Sequence, residues 1–357
     1  MIFLLGRRDS PTDGVEDYCN LLGQSFAVRG TDVRVVRVSW ATEGRLRSLR
    51  RLRQALRGQA GQWVLAQYTA LSWSRRGFPV FFLLVLWLLR SCRIPIAVVF
   101  HDSSTYRGRR PVDRLRGFCQ RLVMRTAYHL AGKSILTAPL DAVSWIPRRR
   151  PKAVFIPVGS NIPAVVACRT VGSGHPPKTI AVFGVTGDGY IGTELTDIAF
   201  VVKAAAAQIP GIRLTMLGRG SKGAESTMRE ILEDPAVEFS ALGVLPADEV
   251  SKVLSAADVS LFVRGSLSTQ RGSAIASVAC GTPLVAYSGP QLPVEFDQAG
   301  VVAVSPGDRE AMARATISLL TDRQMWLELH RRSRQAYKAY FSWETVAARF
   351  LQVLANA

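Results

Sequence analysis

Residues 257–286 read A-D-V-S-L-F-V-R-G-S-L-S-T-Q-R-G-S-A-I-A-S-V-A-C-G-T-P-L-V-A, and this stretch decides the fold class. Residues 259–263 form a buried-type apolar run, the mark of a strand with both faces covered. Small and polar residues follow, and then Gly272–Ala279 is apolar at helix length. Gly281-Thr282-Pro283 stops that helix, and residues 283–287 start a new strand. Strand, loop, helix and strand in thirty residues make one crossover, so the sheet is parallel. A glycine and a serine at the helix start leave backbone N–H groups open to an anion, with Arg264 and Arg271 on either side. A diphosphate suits such a loop; simple helix capping by Gly272 or Ser273 with solvated arginines is the plainer alternative.

The same alternation extends in both directions. Strands are expected at residues 1–6, 33–38, 63–67, 94–100, 134–138 and 154–157, with helices at Gly14–Val28, 45–57, 78–90 and 114–131. Pro163, Gly172, Gly174, Pro176 and Pro177 mark a linker, after which the pattern restarts. Strands at 179–184, 212–217, 237–240, 259–263, 283–287 and 301–304 alternate with helices at 194–208, 224–233, 248–256, Gly272–Ala279, Arg309–Thr321 and 322–339. A helix at 248–256 is expected to be capped by its own acidic start, and a last helix at 342–354 by Ser342 with Glu344 in its first turn. Two α/β units with parallel sheets follow, and ligands in such sheets bind beyond the carboxyl ends of the strands. The expected site is the cleft between the two units.

Charge divides the chain as clearly as the pattern does. The 357 residues carry a net charge of +18, and residues 1–165 hold all of the excess, with 27 Lys+Arg against 9 Asp+Glu. No acidic residue lies between Glu43 and Asp102. A one-sided basic field implies an anionic partner. Nucleic acid is disfavoured, because the basic stretches lack interleaved aromatics and no recognised module occurs. Residues 45–57 carry six arginines, Arg45, Arg47, Arg50, Arg51, Arg53 and Arg57, around Leu46, Leu49, Leu52 and Leu56. A basic amphipathic helix of this kind reads as binding an anionic membrane surface.

Other classes are excluded. The longest apolar run, residues 78–89, is twelve long, where a bilayer span needs about 20. It reads as a buried helix, with an interfacial element as the sharper alternative. Met1-Ile2-Phe3-Leu4-Leu5 is too short for a signal peptide and its positive charges come after it. Five scattered cysteines and four distant histidines give no disulfide framework and no metal spacing, which suits a cytoplasmic setting. The loop from Asp9 to Glu16 after the first strand is not GxGxxG, so a dinucleotide fingerprint is absent there, and GxxxxGK[ST] does not occur, which excludes a P-loop.

The tandem α/β pattern, Asp13-Gly14-Val15 and residues 257–286 together resemble the GT-B glycosyltransferases of the family 4, or group 1, type. So do His101-Asp102 after a strand, residues 156–161 (I-P-V-G-S-N) before the linker, and Phe341-Ser342-Trp343-Glu344 at the last helix. The resemblance implies two Rossmann-like parallel-sheet domains facing across a cleft. Residues 1–165 would bind acceptor, 166–336 the nucleotide sugar, and 337–357 would cross back to the first domain. It implies transfer of a hexose-like sugar from a UDP- or GDP-linked donor to a glycan or lipid-linked glycan, in bacterial surface polysaccharide synthesis, at the inner face of the plasma membrane. The expected course is retaining and metal-independent, with no cofactor, because basic residues and a helix N-terminus neutralise the leaving diphosphate.

The resemblance also implies roles. His101, with Asp102 beside it, would face the transferred sugar as the catalytic pair. Gly14, Gly184, Arg264, Arg271, Gly272 and Ser273 would hold the donor diphosphate. Asp13, Val15, Arg219 and Ser268 would contact nucleotide or sugar. Two family features are missing: the places of the usual glutamate pair hold Ser268 and Ala276, and Gly189-Tyr190-Ile191-Gly192 has isoleucine where lysine is common. These departures give a second reading, a catalytically weak or inactive relative that binds nucleotide or glycan or supports a complex.

Overall fold

Every strand pairing among the described residues of the computed structural model is parallel. The structure describes residues 1–9, 13–106, 108–164, 178–186, 193–233, 236–289 and 291–356. The expected linker from Pro163 onward falls mostly outside them, as do residues 189–192.

The chain divides into two compact units, Met1–Val158 with Trp343–Ala357, and Gly159–Ser342. In the first, strands β1 (Ile2–Leu5), β2 (Arg34–Arg37), β3 (Val64–Tyr68), β4 (Ile96–Phe100), β5 (Lys133–Leu136) and β6 (Ala153–Phe155) take the order β2-β1-β3-β4-β5-β6. All five residues of β3 and of β4 are buried, as a central parallel strand under two helical layers requires. The helices Arg45–Ala55, Val80–Ser91 and Pro111–Leu130 pack Leu52, Phe82, Val85, Leu86, Val123 and Met124 into one core. The opposite core holds Tyr18, Leu22 and Phe26 of the Gly14–Val28 helix together with Trp343, Val346, Ala347, Phe350 and Leu354 of the Trp343–Ala355 helix. The last helix therefore completes the first unit from the far end of the chain.

The second unit orders β7 (Lys178–Phe183), β8 (Ile212–Leu217), β9 (Val237–Ala241), β10 (Val259–Phe262), β11 (Leu284–Tyr287) and β12 (Val302–Val304) as β12-β11-β10-β7-β8-β9. The order reverses at β7, flanked by β10 and β8, and the chain leaves β7 at Gly184. Open parallel sheets gather their ligand loops at such a reversal.

Four sequence expectations need correction. The Ala247–Ala256 helix has Pro246 at its N-cap with no side-chain bond; Asp248 and Glu249 sit in the first turn, where they oppose the positive end of the helix dipole without capping it. The helix expected at 322–339 ends at Ala336 and passes into a wider π turn, Tyr337–Phe341. Leu46 is 74% exposed while Leu49, Leu52 and Leu56 pack on the core, because Leu46 lies off their stripe. Leu49, Leu52 and Leu56 thus face the protein, while Leu46 and the arginines face solvent. The apolar run at 78–89 is only half buried, with Val80, Leu84 and Trp87 outside.

Phe350 is fully buried against Phe26, ring centroids 6.3 Å apart. Phe350→Ala should cost about 3–5 kcal/mol by leaving a cavity that the sheet cannot collapse into. Urea unfolding of the full chain, followed by far-ultraviolet circular dichroism, should show the lowered midpoint; an unshifted curve would place this helix outside the core.

Candidate functional site

In the second unit the loops after β7, β8 and β10 bring a cationic set together. Gly184 takes φ +79°, and a Cβ there would stand 3.0 Å from Arg264 Nη1. The guanidinium of Arg264 therefore lies over the end of β7, in space only a glycine leaves open. Val185 N donates to Arg219 O at 3.3 Å, which sets the exposed Arg219 beside the same turn. Leu267 N donates to Tyr287 O at 3.1 Å, and Arg271 N to Ser268 O at 2.9 Å. Leu267 and Thr269 are buried, so the loop is fixed from within while Arg264, Ser268 and Arg271 reach solvent.

Arg271 is the N-cap of the Gly272–Ala279 helix and makes no side-chain cap bond. The first N–H groups of a helix have no partner inside it. Gly272 has open space where a Cβ would be, so no packing demands a glycine there. Ser277 Oγ donates to Ser260 Oγ of β10 at 2.9 Å and anchors the helix to the sheet. Burial, and then the like charge of Arg264, lower the pKa of Arg271, while Glu194 opposes that shift. Two guanidiniums held at this cost beside a helix N-terminus make an arrangement whose chemistry suits an anion. Glu194 itself is taken up by Thr186, whose N and Oγ1 donate to its carboxylate at 2.9 and 2.7 Å.

In the first unit, His101 and Asp102 follow β4. Gln67, on neighbouring β3, places its Oε1 2.8 Å from His101 Nε2. Gln67 Nε2 already donates to Leu65 O at 3.2 Å, so Oε1 is the accepting end and His101 Nε2 carries the proton. The imidazole stands edge-on to Tyr18, centroids 4.8 Å apart, and Tyr18 meets Trp343 at 5.1 Å. Burial pulls the His101 pKa down to about 4, against a weaker upward pull from Asp13. The ring is thus a neutral hydrogen-bonding group at physiological pH. Burial raises the Asp102 pKa, and a hydrogen bond from Ala70 N at 2.6 Å counters it. Asp102 lines a cavity of about 460 Å³ with Arg75, Arg76, Thr105, Tyr106 and Arg116.

Asp13 has another occupation. Its carboxylate accepts from Val15 N at 3.1 Å and Glu16 N at 3.2 Å, capping the Gly14–Val28 helix, and pairs with Arg37 at 3.4 Å. Gly14 and Val15 open that helix. The structure gathers Gly184, Arg219, Arg264, Ser268, Arg271, Gly272 and Ser273 on the second unit's loops, and Asp13, Gly14, Val15, His101 and Asp102 on the first unit's. Sequence reading missed Gln67, Tyr18 and Thr186. The one available signal was Gln67, a lone amide in the otherwise apolar run V-L-A-Q-Y. Among the described residues no group of His, Cys, Asp or Glu is placed to hold a metal ion.

Two parallel six-stranded sheets, each with flanking helices, are the GT-B glycosyltransferase architecture, and the chain has that fold over its whole length. Residues 188–322 match the family described as Glycosyl transferases group 1. The likeness in fold extends to sucrose-phosphate synthase from Thermosynechococcus elongatus, with TM-score 0.67, 20% identity and 99% of this chain aligned to 98% of that one. HepE of Anabaena, in complex with UDP and glucose, gives TM-score 0.66 and 13% identity over 100% and 99% of the two chains. In sequence, a lipopolysaccharide core biosynthesis glycosyltransferase, LpsE of Rhizobium meliloti (strain 1021), is 30% identical over 155 residues, 43% of this chain and 44% of that protein. The match thus spans less than half of that relative. The resemblance read from the motifs holds in fold throughout and in sequence over residues 188–322.

The buried neutral imidazole has a pH consequence. The folded-state pKa of His101 lies below its unfolded value of 6.5, so the unfolded chain takes up the proton first as pH falls. His101 thereby withdraws stability as pH drops from 6.5 toward about 4, by up to about 3 kcal/mol. His101→Gln should be the less acid-sensitive protein over that window. Urea titrations of both at pH 7 and pH 4.5 would show the gap between them narrowing on acidification; parallel losses would mean that His101 titrates normally.

Proposed function

We propose that the protein transfers a sugar from a nucleotide-diphosphate donor to a glycan or lipid-linked glycan acceptor, with retention and without a metal ion. The observation that carries this reading is the pairing of Arg264 and Arg271 at the uncapped start of the Gly272–Ala279 helix, over the glycine that ends β7. As the sugar–phosphate bond breaks, negative charge develops on the leaving diphosphate. Two guanidiniums and a helix N-terminus are fixed in advance where that charge would appear. The HepE complexes hold UDP and UDP-glucose, which supports a UDP-linked donor here over a GDP-linked one.

On the acceptor side, His101 Nε2–H can donate to a sugar hydroxyl only by sharing its bond to Gln67, so the amide and the sugar compete for one proton. Asp102, with its raised pKa, opens into the arginine-lined cavity and would take the proton of an acceptor hydroxyl. The three arginines there suit an acceptor that carries phosphate or carboxylate. The relative named for lipopolysaccharide core biosynthesis supports a surface glycan as product; the inner face of the plasma membrane is the proposed place of synthesis. Ser268 and Ala276, at the places of the family's glutamate pair, support the second reading of a binding protein without turnover.

Calorimetry with UDP, GDP and their sugars tests the donor side. Arg271→Ala should weaken UDP binding by about 10- to 100-fold, the value of a charge-assisted contact. Gly272→Val should weaken it without lowering the melting temperature, since no protein atom lies within 4 Å of the added Cβ. Unchanged affinities would remove both residues from the site. Binding without turnover of any donor would select the second reading.

A further inference from the structure

The three helices on one face of the first unit's sheet present an outward surface unlike the rest of the protein. Strands β2, β3, β4 and β5 follow one another in one direction across the sheet, apart from the intervening β1. Right-handed crossovers then put Arg45–Ala55, Val80–Ser91 and Pro111–Leu130 on the same face. Their shared core bears this out. They lie side by side: the Arg45 guanidinium stands over the Phe81 ring at 5.9 Å, and Arg90 Nη1 donates to Leu130 O at 3.3 Å.

The outer sides of the last two helices are apolar. Val80, Leu84 and Trp87 recur at intervals of four and three on one, and Leu115, Phe118 and Leu122 at three and four on the other. Such spacing aligns each set along one side of its helix. Trp87 and Phe118 are each 65% exposed, and all six residues are at least half exposed. The adjoining Arg45–Ala55 helix turns Leu49 and Leu52 inward and its arginines, with Leu46, outward. Together the three helices carry ten arginines and one carboxylate, and that carboxylate, Asp113, is buried and paired with Arg116 at 2.8 Å. A second copy of the chain would bring ten arginines against ten, so self-association is opposed by charge. A soluble acidic partner would meet the arginines but leave two apolar ridges to be matched. An anionic bilayer satisfies both, with phosphates for the guanidiniums and acyl chains for the ridges.

We infer that this face docks on an anionic phospholipid surface, with Trp87 and Phe118 entering the acyl boundary and the Arg45–Ala55 arginines held on the headgroups. No helix among the described residues is long and apolar enough to cross a membrane, so the contact is interfacial. The inference moves the insertion from the arginine helix, whose Leu49 and Leu52 are used by the core, to the two helices beside it. It deepens the acceptor side of the proposed function by setting the acceptor unit on the lipid surface. Its test nevertheless runs without donor or acceptor, so failure of one leaves the other standing.

Flotation of the full chain with vesicles of phosphatidylcholine, alone or with 30% phosphatidylglycerol, provides the test. Binding should need the anionic lipid, and brominated acyl chains should quench tryptophan emission in the wild type. W87S/F118S should lose about tenfold in partition for each ring removed, and most of the quenching, while keeping its melting temperature and UDP affinity. R47E/R50E should weaken binding chiefly at low salt, where the screening length exceeds about 10 Å. Unchanged flotation of W87S/F118S would overturn the inference. So would a wild-type dimer, seen by sedimentation without lipid, that this double variant splits, because the face would then be an interface between copies.

Discussion

A parallel ladder buries both faces of its sheet, and everything else in this protein follows from that constraint. The strands cannot be joined by tight turns, so each pair needs a crossover, and the crossovers supply the helices that cover the sheet. Side chains inside are apolar on both faces, as in the fully buried β4 and, Gln67 apart, in β3. Chemistry is thereby pushed to one edge, where the strands end and the loops begin. His101 and Asp102 directly follow β4, Gly184 follows β7, and Arg264 comes two residues after β10. Functional groups on both units sit within a residue or two of a strand that cannot move.

The second unit turns that edge into a charged one at a cost to itself. Arg264 and Arg271 repel, and burial makes the second of them harder to keep protonated. The protein meets this with a loop pinned at Leu267 and Arg271 and a helix tied to β10 through Ser277. The first unit handles polarity the opposite way. His101 is kept neutral, its proton assigned to Nε2 by an amide that has no other orientation open to it. One unit stores unbalanced charge and the other removes it, although both use the same strand-end geometry.

Most of the fold was legible because apolar runs, glycines and prolines alternate at regular intervals. The Gly14–Val28, Gly272–Ala279 and Arg309–Thr321 helices begin and end where the residues suggest. Short helices such as Ala70–Trp73 and Val294–Gln298 escaped, since four or five residues show no period. The exposure of Leu46 and Trp87 escaped too, because a one-dimensional pattern shows that leucines share a helix but not which of them meet the sheet. At the site, Arg264 and Arg271 could be singled out because they flank a Gly-Ser helix start, and Gly184 through the resemblance. Gln67 and Tyr18 could not be paired with His101, because contacts between neighbouring strands and helices leave no mark in sequence spacing. Asp13 shows the reverse case: its loop marked it for a ligand, and the structure employs its carboxylate as a helix cap.

The route of the chain has a consequence for how the protein comes into being. The first unit takes its strands and most of its helices from residues up to 158, yet one of its two cores waits for Trp343, Val346, Phe350 and Leu354. A ribosome delivers those residues only after residues 159–342. Tyr18, Leu22 and Phe26 therefore remain uncovered on the sheet while the whole second unit, residues 159–342, emerges and folds as a continuous segment. The first unit is completed only after the second has emerged. In the interval a nascent protein with an open apolar sheet face and a large positive charge must be kept from aggregating, which makes the order of synthesis itself a burden on the cell's chaperones.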